Sequence, residues 1–235
     1  MMIKKMNRWV FLTLTGVLFL GWMVLPASGQ SYTDGPDVRI PDTFGEETLA
    51  KIDFHQASGN IFALVCYNTI HNWSLYMSTD MGSTWDFKCS MSSSDGFQDV
   101  DLVVADDYLY VGYISISHAE NVKLLRYFGS TGARDSVYGI RYPLDASPNT
   151  FTDIALVGVS EYDRIYLAAV QSNNAIRWAW DNSTDGTTFY ESSPAGVSAA
   201  EGLDMAYNMN DENGWYLFLS YIGNDNGVPI IHDEA

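Results

Sequence analysis

The densest grouping of chemically distinctive residues in the chain is Ser78-Thr79-Asp80-Met81-Gly82-Ser83-Thr84-Trp85. A carboxylate two residues after a serine and two before a glycine suits a tight turn whose free backbone N–H groups the acid accepts. Gly82 permits the chain reversal, and Trp85 brings apolar area that pins the turn to the structure behind it. This chemistry holds a loop and does not turn over a substrate. Other reactive residue types are scattered. The histidines His55, His71, His118 and His232 show no short metal-ligand spacing. Neither a glycine-rich phosphate loop nor a G-x-S-x-G elbow occurs. The turns Asp211-Glu212-Asn213-Gly214 and Asn224-Asp225-Asn226-Gly227 offer the oxygen ligands that calcium takes. Asn-Gly hairpin turns account for both without a metal, and no other cofactor is implied.

The elements that must carry these residues form a repeat. Ile52-Asp53-Phe54, Val100-Asp101-Leu102, Thr152-Asp153-Ile154 and Leu203-Asp204-Met205 each open a unit. Their aspartates recur at steps of 48, 52 and 51 residues. A turn rich in Gly, Asn and Asp follows each opening strand, as hairpin loops with positive φ require. Next comes an almost wholly apolar strand, such as Ile61 to Val65, which only burial on both faces explains. A third, aromatic-rich strand runs over 73–77, 122–128 and 175–180. After the first 29 residues no segment carries a long 3.6-residue apolar period. The pattern predicts an all-β chain, a β-propeller of four-stranded antiparallel blades, over about 51–99, 100–151, 152–202 and an incomplete 203–235. A two-sheet sandwich is the structural rival, but it does not require one strand pattern four times over.

Ser78 to Trp85 reads S-x-D-x-G-x-T-W and resembles the Asp-box of the sialidase-like, BNR-repeat propellers. A degenerate copy follows at Ser183-Thr184-Asp185-Gly186-Thr187-Thr188-Phe189, one residue shorter between Asp185 and Gly186, with Thr188 kept and Phe189 for tryptophan. The second unit has Gly129-Ser130-Thr131-Gly132 there, without the aspartate. The resemblance implies that the boxes lie after a blade's third strand, at the rim away from any active centre, and are structural. It also implies a role for Arg39-Ile40-Pro41, similar to the family's first substrate-carboxylate arginine motif, since a guanidinium fork matches a carboxylate. An exposed arginine before a proline is the simpler account of Arg39. The rest of the sialidase set is missing: the loop Asn68-Thr69-Ile70-His71-Asn72 holds no acid where the resemblance places one. Glu191 and Glu201 fit the family's glutamate by position only. Arg126, Arg134, Arg141, Arg164 and Arg177 are candidate clamp members without a motif.

The chain of 235 residues has 12 basic and 29 acidic side chains, a net charge of −17. Such a surface repels nucleic acid and anionic lipid and keeps an exported protein soluble. Lys4, Lys5 and Arg8 precede an apolar run from Trp9 to Leu25, and Ala27 and Gly29 follow. This predicts a signal peptide over 1–29 cut before Gln30, then a lead-in segment over 30–50, and an extracytoplasmic protein without a later membrane span. Cys66 and Cys89 fall on the second and fourth strands of one unit. About 10 Å then separates them, too far for a disulfide, so buried free thiols are expected. The fourth unit stops in its third strand, and a ring ending there leaves an open sheet edge: either the segment from Asp37 to Ala50 supplies the closing strand, or the sequence is a fragment of a longer protein, which is the favoured reading. Two functions fit. One is a non-catalytic secreted propeller that binds a glycan or an extracellular protein. The other is an exo-sialidase or related glycoside hydrolase with its remaining catalytic residues beyond Ala235.

Overall fold

A computed structural model of the chain describes residues 47–67, 71–159, 164–181, 189–192, 201–210, 214–222 and 230–233. The leader, Arg39, residues 183–188 of the degenerate box and both acidic turns up to Asn213 and over 224–227 lie outside the described residues. Alternating apolar side chains and turn residues give four antiparallel meanders. Sheet 1 contains β1 (Glu47–His55), β2 (Asn60–Tyr67), β3 (Asn72–Ser78) and β4 (Asp86–Ser92). Sheet 2 contains β5 (Phe97–Ala105), β6 (Tyr108–Ser115), β7 (Asn121–Phe128) and β8 (Ile140–Asp145). Sheet 3 contains β9 (Phe151–Val159), β10 (Arg164–Gln171), β11 (Ile176–Asp181) and β12 (Phe189–Ser192). Sheet 4 has three strands among the described residues, β13 (Glu201–Asn210), β14 (Gly214–Ile222) and β15 (Ile230–Asp233). Four separate sheets rule out the two-sheet sandwich. Asp106 shows how the turns work: it takes φ 47° in the two-residue loop between β5 and β6, a left-handed conformation that aspartate tolerates.

The all-apolar second strands follow from the stacking of these sheets. Successive side chains point to opposite faces of a strand, and sheets 2 and 3 are covered on both. Phe62, Leu64 and Cys66 of β2, with Trp73 and Leu75 of β3, pack on Leu102, Leu109, Val111 and Tyr113 of sheet 2. The opposite face of sheet 2, through Tyr110, Ile114, Val122 and Leu124, packs on Ile154, Leu156, Ile165 and Leu167 of sheet 3. Tyr166, Ala168 and Trp178 then meet Leu203, Met205 and Leu219 of sheet 4. Gly112 on β6 keeps that second joint tight: a Cβ there would lie 2.9 Å from Ile154 Cδ1.

The outer strands are blunted as pairing templates. Register shifts interrupt the pairing of β4 and β8, β8 carries Pro143, and β12 has four residues. Neither cysteine is in a disulfide, and they lie on β2 and β4 with β3 between them. Cys66 is fully buried, and burial pushes its thiol up to about 12. Cys89 departs from the expected burial: it is half-buried and donates to the Tyr127 hydroxyl at 3.6 Å.

Candidate functional site

The first strand of each sheet pairs with only one strand of its own sheet, and β1, β5, β9 and β13 lie side by side. Each is therefore an inner edge with unpaired backbone N–H groups that need partners. Aspartates supply them. Asp53 Oδ2 accepts Val104 N–H at 2.6 Å, and Asp101 Oδ2 accepts Leu156 N–H at 2.7 Å. Asp99 Oδ2 accepts Ile154 N–H at 3.0 Å, and Asp153 Oδ2 accepts Leu203 N–H at 2.9 Å. In every case a carboxylate of one sheet reaches the inner strand of the next.

The structural register differs from the column of aspartates at 53, 101, 153 and 204. Counted from the hairpin end, Asp53 lies two residues before the end of β1 and Asp101 four before the end of β5. Asp99, Asp153 and Asp204 each lie six before the end of their strands. The offsets are even, so all five aspartates share the face each sheet turns to its successor. Asp99, which the repeat reading passed over, belongs to the true column. Its signal was the shared F-x-D of Phe97-Gln98-Asp99 and Phe151-Thr152-Asp153.

Three consecutive sheets thus bring one carboxyl each to the same level, near the start of the inner strands. Burial, together with a hydrogen bond to the Asp153 carboxyl, pushes Asp99 well above the usual carboxylate range. Asp99 therefore keeps its proton to a higher pH than an ordinary carboxyl. Burial also raises Asp101, against the pull of Lys51, whose Nζ lies 3.2 Å from it. Burial opposes the charge on Lys51, but Asp101, then Asp99 and Asp204, outweigh it and raise its pKa.

Of the remaining candidates among the described residues, Glu201 opens the inner strand β13, and the others lie on outer strands or turns. Among the described residues no arginine stands on an inner strand. Arg126 on β7 gives Nε and Nη2 to Asp135 Oδ2 at 3.0 and 2.8 Å, between the rings of Tyr108 and Tyr138. Arg177 pairs with Glu191 across β11 and β12, which removes Glu191 from any axial role. Tyr207, the one tyrosine on these inner strands, packs in the core between sheets 3 and 4. His118 faces Glu120 at 3.6 Å on an exposed loop. No group of three or more metal-ligating side chains gathers among the described residues.

At the opposite end, the turn after β3 has the bonds its residue types call for. Ser78 Oγ donates to Asp80 Oδ1 at 2.8 Å and accepts Gly82 N–H at 2.8 Å. Asp80 Oδ1 accepts Thr84 N–H at 2.8 Å, and Oδ2 accepts Thr84 Oγ1–H at 2.7 Å. Met81 and Gly82 take φ 59° and 87°. Hydrogen bonds from the Thr84 side chain and backbone, then from Ser78, hold Asp80 below the usual carboxylate range. Trp85 is half-buried against Val65 and Tyr76. Phe189, from the degenerate copy, is half-buried at the start of β12. In sheet 2 the Gly129 turn is held from outside, where Asn60 Nδ2 donates to the Gly129 and Ser130 carbonyls at 2.9 and 3.1 Å.

Among solved structures, a putative exo-β-1,3-galactanase from Bifidobacterium bifidum s17 superposes with a TM-score of 0.51 at 10% identity, over 80% of this chain and 69% of that one. A GH43 β-1,3-galactosidase solved with galactodeoxynojirimycin gives 0.50 at 9% identity, over 80% and 72%. The chain is a β-propeller. Its sheets are the blades, three of four strands and a fourth incomplete among the described residues. The chain spans 42% of the length of another GH43 β-1,3-galactosidase, matched with a TM-score of 0.48 at 8% identity. It spans 24% of a bifunctional GH43-CE protein of Bacteroides eggerthii. No family model matches the sequence, and no curated protein does.

Proposed function

We propose that this propeller is an exported, non-catalytic glycan-binding module whose ligand meets the inner-strand carboxyls Asp99, Asp153 and Asp204. The supporting observation is their common level on three consecutive blades, with Asp99 raised by burial so that it keeps its proton longer than an ordinary carboxyl. A carboxylic acid donates and a carboxylate accepts, so the trio can match a sugar's hydroxyl groups in both directions. The absence of arginine from the described inner strands favours an uncharged glycan over a sialic acid, whose carboxylate the aspartates would repel. The leader over 1–29 supports export, and the Ser78–Trp85 turn acts as an Asp-box that holds the rim of blade 1. The two solved structures matched with TM-scores of 0.51 and 0.50, by their titles a putative exo-β-1,3-galactanase and a β-1,3-galactosidase, agree with a glycan ligand.

Calorimetric titration with neutral and sialylated oligosaccharides tests the reading. A neutral oligosaccharide binds, Asp204→Asn weakens it tenfold or more, and sialylation abolishes it. Binding only of the sialylated sugar would sink the reading. One observation favours a second reading, a glycoside hydrolase: Asp99 keeps its proton at neutral pH, as a general acid must. Turnover of a neutral aryl glycoside that Asp99→Asn abolishes would establish that alternative.

A further inference from the structure

Among the described residues the inner strands carry one lysine, Lys51 on β1. It lies four residues before the end of its strand, as Asp101 does in β5 and Ala206 in β13. The even offset puts it on the same face as the aspartates. Its Nζ lies 3.2 Å from Asp101 Oδ1, and the side chain stays 37% exposed. An ammonium has three donors, so Asp101 does not use them all. Lys51 also interacts electrostatically with Asp99 and Asp204, yet it forms an ion pair with neither among the described residues. Asp204 stands opposite with an oxygen to spare. Its Oδ1 accepts Met205 N–H at 2.9 Å, whereas Oδ2 accepts no hydrogen bond among the described residues, and the side chain is exposed. Asp99 and Asp153 differ in spending Oδ2 on the next blade. At the level of Lys51, blade 4 carries the exposed Ala206, whose methyl fills little of the space beside Asp204.

We infer that Lys51 and Asp204 together grip one unsubstituted hydroxyl group of a neutral sugar, the ammonium donating to its oxygen and Asp204 Oδ2 accepting its O–H. This rests on the glycan-binding reading and names the sugar group it depends on. A hydroxyl has one proton to give and lone pairs that accept, so it satisfies a cation and a carboxylate at once. An ether or ester oxygen has no proton for Asp204. A ligand carboxylate brings like charge to Asp204, Asp153 and Asp101, and a ligand ammonium meets Lys51. Both hydrogen bonds to the hydroxyl are charge-assisted, the stronger kind. A lysine and a carboxylate close enough to feel each other, but without direct contact, leave room for such a bridging group.

The test is calorimetric titration of the full chain with neutral oligosaccharides, β-1,3-galactotriose first, and with the same sugar lacking one hydroxyl at a time. Wild type is expected to lose tenfold or more in affinity for one deoxy analogue. Lys51→Met is expected to bind the parent sugar about as weakly, with no further loss for that analogue, because the two changes remove one interaction. Lys51→Met leaves Asp101 buried without its partner; where it fails to fold, Lys51→Met combined with Asp101→Asn, set against Asp101→Asn alone, carries the same comparison. A variant that loses affinity equally for the parent sugar and every analogue overturns the inference, since Lys51 then acts through packing alone. Unchanged affinity in Lys51→Met, with Asp204→Asn still weakened, overturns it too and leaves the glycan reading standing. Failure of every neutral oligosaccharide to bind overturns both.

Discussion

Trp85 leaves part of its indole in solvent while the rest covers Val65 and Tyr76. Its residue type and place after a tight turn were legible in the sequence; the degree of burial was not, because that depends on the face of blade 1 it lands on. Full burial would make Trp85→Ala cost roughly 3–5 kcal/mol. Half burial lowers the expected loss to about 1.5–2.5 kcal/mol, measured by urea unfolding. A loss under about 0.5 kcal/mol would mean the turn is held by its hydrogen bonds alone. Asp80 belongs to the same scale. The bonds from Thr84 and Ser78 were predictable from S-x-D-x-G-x-T because all partners lie within six residues. Local geometry of that kind needs no fold to specify it.

At the scale of the strand, blade-to-blade contact depends on small residues where backbones meet. Gly158 on β9 lies against the end of β5, and a Cβ there would run into the Val104 carbonyl oxygen. A carbonyl on a paired strand cannot swing away as a side chain can. Gly158→Ala is therefore expected to destabilise the protein by about 1–3 kcal/mol, through overpacking, in equilibrium denaturation. An unchanged midpoint would show that blades 2 and 3 slide to make room. The aspartate staples work on the same elements. Their face could be read from the sequence, since the parity of a strand survives a slip of two or four residues. Their column could not, because insertions before the hairpins move the repeat by even steps that composition does not reveal.

For the whole molecule, Asp99, whose Oδ2 accepts Ile154 N–H across the joint between blades 2 and 3, couples that joint to pH. The folded protein raises Asp99 above its unfolded value, through burial and then the Asp153 hydrogen bond. A raised carboxyl holds its proton longer in the folded state, so its contribution is complete below the unfolded value, near pH 4, and is lost as pH rises through the folded one. Asp80 has the opposite sign: its lowered pKa contributes above the usual carboxylate range and is lost as pH falls. Thermal midpoints from pH 5 to 9 are thus expected to fall in the wild type, and less steeply in Asp99→Asn. Equal slopes in the two proteins would show that the general repulsion of a chain with net charge −17 is the whole cause.

The sequence by itself determined what local rules govern: strand periodicity, hairpin turns, the four-unit repeat, the Ser78–Trp85 turn and the acidic surface. Each depends on residues close in the chain or on composition. Only the tertiary structure decided which aspartates stand together, that Glu191 is tied to Arg177 at the rim, and that the arginines of the described strands lie off the axis. Those facts rest on contacts between residues about 50 positions apart, such as Asp99 with Ile154 and Asp153 with Leu203. Such contacts exist only once the blades have stacked, because the register of that stacking is set by packing across faces rather than by any neighbour in the chain.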